Sequence, residues 1–91
     1  MVSLKVIISG RVQGVWYRGW TVETARSLGL TGWVRNRRDG TVQACFAGDE
    51  SAVQEMMELC WKGPPAAKVT SVEQKPTEVP SSESFVQLPT A

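Results

Sequence analysis

The chain contains no histidine. Imidazole is the side chain whose charge ordinarily changes near neutral pH, and it is the commonest zinc ligand. Its absence removes the usual serine and cysteine triads and the His-ligated zinc sites, so any catalysis must proceed without it. Cysteine is scarce as well. Cys45 and Cys60 are the two present, with no CxxC and no metal-type spacing, so no metal or other cofactor is expected. Long apolar runs are missing too, and nothing approaches the ~20 residues that span a bilayer. The segment Met1–Gly10 is too short and too polar for a signal peptide. These absences lead us to expect a soluble, cytoplasmic protein with no membrane partner.

What is present is the composition of an ordinary globular domain. Ninety-one residues allow one modest core and no second one, so residues 1–91 are read as a single domain. The net charge of +1 conceals an asymmetry: residues 1–40 hold seven basic side chains against two acidic, and residues 41–91 hold three against seven. Part of the surface should therefore attract anions, although two solvated patches of opposite sign would show the same balance.

Strand and helix periods alternate along the chain. Leu4–Ser9 is a β-branched, apolar run ended by Gly10, which reads as a central strand. From Tyr17 the spacing turns helical, with Tyr17, Thr21, Ala25 and Leu28 on one face and Gly29 as the stop. Leu30–Asn36 and Thr41–Ala47 read as strands joined by the turn signal Asp39-Gly40. A second helix over Glu50–Trp61, N-capped by Asp49 or Ser51, carries an apolar stripe of Val53, Met56, Met57 and Cys60 and ends at Gly63-Pro64-Pro65. Ala67–Gln74 reads as a fourth strand, Lys75–Ser84 as loop, and Phe85–Leu88 as a short extra strand before a frayed tail. The order β-α-β-β-α-β predicts an α+β, ferredoxin-like α/β sandwich: an antiparallel sheet with two helices on one face. In that topology the first two strands run parallel on either side of the third. The Gly10–Arg18 loop and the Arg35–Arg38 segment then share one edge. Cys60 should enter the core and Cys45 the opposite sheet face, too badly placed for a disulfide.

Ser9-Gly10-Arg11-Val12-Gln13-Gly14-Val15-Trp16-Tyr17-Arg18 joins a strand to a helix start. Glycines let backbone N–H groups converge on a small anion, the helix N-terminus adds positive potential, and Arg18 can add a bidentate fork. It is neither a Walker loop nor a dinucleotide fingerprint. On spacing alone, the same residues would serve as a tight connection with a solvent-facing arginine. Asn36 can donate and accept hydrogen bonds, which suits holding a water, but asparagine also favours turns for backbone reasons. Trp16, Trp20, Trp33 and Trp61 raise the question of base stacking. The RNP1 pattern of aromatics is absent, however, so no nucleic-acid partner is expected.

Gly10-Arg11-Val12-Gln13-Gly14-Val15-Trp16-Tyr17-Arg18 closely resembles the phosphate-loop signature of the acylphosphatases, and Gly32-Trp33-Val34-Arg35-Asn36 with Asp39-Gly40-Thr41-Val42 resembles their second signature. The likeness runs from about Leu4 to Leu88. It implies hydrolysis of acyl phosphates to a carboxylate and inorganic phosphate by a monomeric enzyme acting on a small molecule. It also implies that Arg18 is the phosphate-binding arginine and Asn36 the water-positioning asparagine. The phosphoryl cradle would be made by Gln13, Gly14, Val15, Trp16, Tyr17 and Arg18 through their backbone N–H groups. Tyr17 stands where phenylalanine is common, so its hydroxyl needs a partner. The tail from Gln87 to Ala91 lacks the basic ending that many members carry. The alternative is a non-catalytic ferredoxin-like module that binds an anionic ligand, a protein or RNA.

Overall fold

A computed structural model describes residues 1–81 and 83–91. The elements are β1 (Val2–Arg11), α1 (Tyr17–Ser27), β2 (Thr31–Asn36), β3 (Val42–Gly48), α2 (Glu50–Lys62), β4 (Lys68–Pro76) and β5 (Phe85–Gln87). They follow the predicted order, with boundaries displaced by a residue or two. The loop expected over Lys75–Ser84 includes Ser82, which lies outside the described residues, and its first two residues belong to β4.

The sheet order is β4-β1-β3-β2-β5. β1 and β2 each pair antiparallel with β3, and are therefore parallel to one another as expected. Along β3, Val42, Ala44 and Phe46 share a face with Ile8, Val6 and Leu4 of β1 and with Asn36, Val34 and Gly32 of β2. Both helices pack against this face. Val53, Met56, Met57 and Cys60 of α2 are all buried there, as the apolar stripe predicts, and each buried Val or Met contributes about 2 kcal/mol. Asp49 occupies the N-cap position of α2, but its side chain caps no amide.

Two expectations need correction. The sheet is mixed, because β5 runs parallel to β2 through Gly32–Phe85, Trp33–Val86 and Val34–Gln87. Phe85 drives this docking: it is fully buried and stacks on Phe46 at 5.3 Å. The tail beyond β5 is not frayed. Leu88 N–H donates to the Val34 carbonyl at 2.8 Å, Ala91 N–H to the Asn36 carbonyl at 3.1 Å, and Arg38 N–H to the Ala91 carbonyl at 3.0 Å. The edge of β2 left open beyond β5 supplies the partners that order these residues.

The other sheet face carries Lys5, Cys45 and Trp33 in one cross-strand row and Ile7, Gln43 and Arg35 in the next. Cys45 thus lies on the opposite side from the core residue Cys60, and both are free thiols.

Candidate active site

β1 leaves the sheet through a bulge. Its register against β4 shifts between Ser9 and Gly10. Gly10 has φ +120°, and a Cβ there would sit 2.2 Å from the Lys68 carbonyl oxygen. Only glycine fits, and the bend turns the chain into the loop that precedes α1. Within that loop Trp16 adopts the left-handed φ of 67°, which costs a non-glycine residue about 1 kcal/mol or more. Its carbonyl accepts the first helical bond from Trp20 N–H at 3.0 Å, so Trp16 is the N-cap of α1. An indole offers no acceptor to the first-turn amides, and that turn holds no acidic residue. Helix α1 therefore starts with uncapped N–H groups and an unopposed positive end.

A cavity of about 150 Å³ opens at this helix start, walled by Gly14, Trp16, Tyr17, Arg18 and Gly19 of the loop and first turn. Val12, Asn36 and Gln87 close it from the β1 exit, the end of β2 and the end of β5. Arg18 is half-buried and has no ion-pair or hydrogen-bond partner among the described residues. Asn36 is 9% exposed, and its Oδ1 is buried with no hydrogen-bond partner among the described residues. A buried acceptor that the fold leaves unpaired is costly, and such groups concentrate where a ligand or water is handled. The register explains why these two groups meet. Val42 of β3 lies between Ile8 and Asn36, so the end of β2 sits beside the exit of β1.

The loop is tied to the β2–β3 turn by one side chain. Gln13 Nε2 donates to the Arg37 carbonyl at 2.7 Å and to the Thr41 carbonyl at 2.9 Å. The turn itself is held by Asp39 Oδ1, which accepts from the Thr41 hydroxyl at 2.6 Å and the Thr41 amide at 3.0 Å. These bonds, with a smaller contribution from Arg37, hold the Asp39 carboxyl below its usual range. Arg35 is not part of this site. It lies on the helix-free face, 4.9 Å from the Trp33 ring centroid, and donates to Gln43 Oε1 at 2.9 Å.

Among the described residues, no carboxylate, thiol or lysine lines the cavity. Tyr17 is buried, and that burial pushes its phenol well upward. The Cys60 thiol in the core beneath is pushed up to about 12 by burial. Burial also raises the Cys45 thiol, with partial relief from Ser3 and Lys5. All three stay protonated near neutrality. Among the described residues, no group of three or more His, Cys, Asp or Glu converges on a point.

The Tyr17 hydroxyl finds the partner it needs, donating to the Cys60 carbonyl at 2.5 Å. In an α-helix that carbonyl would bond the N–H four residues on, but Pro64 has none. Tyr17 therefore satisfies a carbonyl orphaned at the end of α2. Tyr17→Phe is expected to cost about 1–2 kcal/mol, lowering Tm by about 5–10 °C in thermal unfolding. An unchanged Tm would show that the carbonyl does not depend on this donor.

The predicted loop and the predicted asparagine thus meet at one cavity. Gly14, Trp16, Tyr17 and Arg18 line it, whereas Gln13 and Val15 do not appear in its wall. Sequence reasoning missed Val12, Gly19 and Gln87, which do line it. It also missed the Gln13 side chain as the clamp on the hairpin. Gln87 left no local signal, because its place depends on the parallel docking of β5. A larger depression of about 570 Å³ between α2 and β4, over Leu4, Met57 and Pro76, brings together no arginine, asparagine or glycine-rich loop.

Comparison with known proteins identifies one family. A sequence model of the family described as Acylphosphatase matches residues 4–87. A protein of Rhodospirillum rubrum named Acylphosphatase is 57% identical over 89 residues, covering 98% of each chain. The crystal structure of acylphosphatase from Bacillus subtilis superposes with a TM-score of 0.93 at 34% identity, covering 97% of this chain and 99% of that one. The structure of an acylphosphatase from Coxiella burnetii gives 0.92 at 33% identity, over 96% of this chain and 92% of that one. With both signature segments folded against one another at a single cavity and the likeness extending over nearly the full length, the chain belongs to the acylphosphatase family.

Proposed function

We propose that the chain is an enzyme that hydrolyses the carboxyl–phosphate bond of acyl phosphates, with Arg18 and the backbone N–H groups of the cavity-lining residues Gly14, Trp16, Tyr17 and Arg18 holding the phosphoryl group and Asn36 positioning the attacking water. The observation that carries the reading is the pairing of two groups at one cavity that are unsatisfied among the described residues: the half-buried Arg18 without a carboxylate partner, and the buried Asn36 amide oxygen without a donor. A phosphoryl group answers the first and a water molecule the second.

The reaction asks for little else. The water oxygen bonds to phosphorus as the bond from phosphorus to the acyl oxygen breaks, and that electron pair leaves on a carboxylate. A carboxylate is a good leaving group, so general-acid help is not needed. What remains is in-line alignment and stabilisation of charge on the equatorial oxygens. Asn36 Oδ1 accepts a hydrogen bond from the water and so aims the oxygen lone pair. Arg18 and the amides at the uncapped start of α1 oppose the charge. With Tyr17, Cys45 and Cys60 all neutral, the water proton passes to the substrate's own phosphoryl oxygens. No metal or other cofactor enters this scheme.

The non-catalytic alternative is not favoured, because the likeness to proteins named Acylphosphatase covers nearly the whole chain. An RNA-binding reading is weaker still. Folds of this type stack two or three bases on aromatics of the helix-free face. Here Trp33 is the one aromatic among the described residues paired across that face, and Arg35 already lies over it. We read the chain as a single-domain monomer working in the cytoplasm. Among the described residues no helix is long and apolar enough to cross a membrane.

The test is phosphate release from a panel of acyl phosphates against simple phosphate esters, across pH. Acyl phosphates should be turned over and esters should not, with no enzyme base titrating near neutrality in kcat/KM. Equal turnover of both classes would remove the assigned chemistry, and a steep limb near pH 7 would remove the proton route.

A further inference from the structure

Trp16 is a large apolar side chain left 60% exposed, and of the exposed large hydrophobics Met1, Trp16, Trp61 and Val79 it alone lines the Arg18–Asn36 cavity. Its placement is specified twice. The backbone holds the left-handed φ of 67°, a conformation that tryptophan adopts only under constraint. The indole also lies flat over Gly19: a Cβ on Gly19 would come within 2.1 Å of the indole Nε1 and 2.6 Å of Cε2. A side chain larger than hydrogen at position 19 would push the ring off its seat. The chain thus spends backbone strain and a glycine inside a helix on presenting an aromatic surface at the cavity mouth.

The cavity is small, about 150 Å³, and its charged and amide groups are matched to a phosphoryl group. The acyl half of the substrate must therefore project over the rim, where the indole is the broad apolar surface. A flat ring offers dispersion and offset stacking to another flat or extended apolar group and almost nothing to a methyl. We propose that Trp16 is the acyl-recognition surface of this enzyme, selecting acyl phosphates whose acyl group is aromatic or extended over those with a short alkyl group. This rests on the acyl phosphate reading and adds to it the class of the acyl group.

The experiment measures kcat/KM for benzoyl phosphate and acetyl phosphate side by side and takes the ratio, which cancels damage common to both substrates. Trp16→Gly suits the positive φ and removes the ring. It should lower the benzoyl-to-acetyl ratio by about tenfold, and Trp16→Phe should restore most of it. Gly19→Ala keeps Trp16 and crowds its ring, and should lower the ratio in the same direction. A ratio unchanged in both Trp16→Gly and Gly19→Ala overturns the proposal. Failure of the unsubstituted protein to turn over either acyl phosphate overturns the acyl phosphate reading itself, and the proposal with it.

Discussion

Arg18→Ala is expected to lower kcat/KM for benzoyl phosphate by about 10³-fold. An arginine that meets transferring phosphoryl oxygens is worth about 10³–10⁵ in rate. The low end is chosen because the uncapped amides at the start of α1 remain to bind part of the charge. Arg18 has no carboxylate partner among the described residues that its loss would leave buried and unpaired. Alanine is also the best helix former for a first-turn position, so Tm should hold within a few degrees. Inhibition by inorganic phosphate should weaken in parallel, since the same fork grips product. Arg18→Lys should recover only part of the rate, because an ammonium restores charge without the planar pair of donors. Steady-state kinetics with a thermal melt on each variant suffices. Near-native kcat/KM in folded Arg18→Ala would end the assignment.

Asn36→Ala should separate activity from stability in opposite directions. If Asn36 orients the attacking water as proposed, its loss should lower kcat by about 10²–10³-fold, with KM changing much less because the proposed contact is to the water rather than to the phosphoryl group. Stability should hold or rise. Asn36 Oδ1 is already buried without a donor among the described residues, so deleting it removes a desolvation penalty of about 1 kcal/mol and breaks no hydrogen bond among them. Its backbone carbonyl, which accepts from Ala91 N–H at 3.1 Å, is untouched. A protein that gains stability as it loses turnover carries strain for function at that residue. If Tm falls together with kcat, Asn36 is a structural residue and the water needs another guide.

Much of this fold is legible in the sequence alone. The stripe of Val53, Met56, Met57 and Cys60 marked α2 and its buried face. The alternation in Val42, Ala44 and Phe46 marked the inward face of β3, and placed Cys45 on the other side. Even the meeting of the β1 exit with the end of β2 followed from element order, because the topology leaves β1 and β2 parallel on either side of β3. The last strand resisted. Phe85–Gln87 is three residues long, too short for a period, and nothing local says whether it will lie parallel or antiparallel.

Arg18, Asn36 and the glycine-rich loop were visible because their types and spacing form a pattern along the chain, and period, turn chemistry and motif are properties of neighbours in sequence. The unpaired state of Asn36 Oδ1, the Gln13 clamp on the Arg37 and Thr41 carbonyls, the arrival of Gln87 at the rim and the seat of the Trp16 indole on Gly19 were not visible. Each depends on which distant groups a side chain meets once the sheet has closed. Packing sets those encounters over the whole fold at once, whereas a stretch of chain encodes only its own conformational preferences.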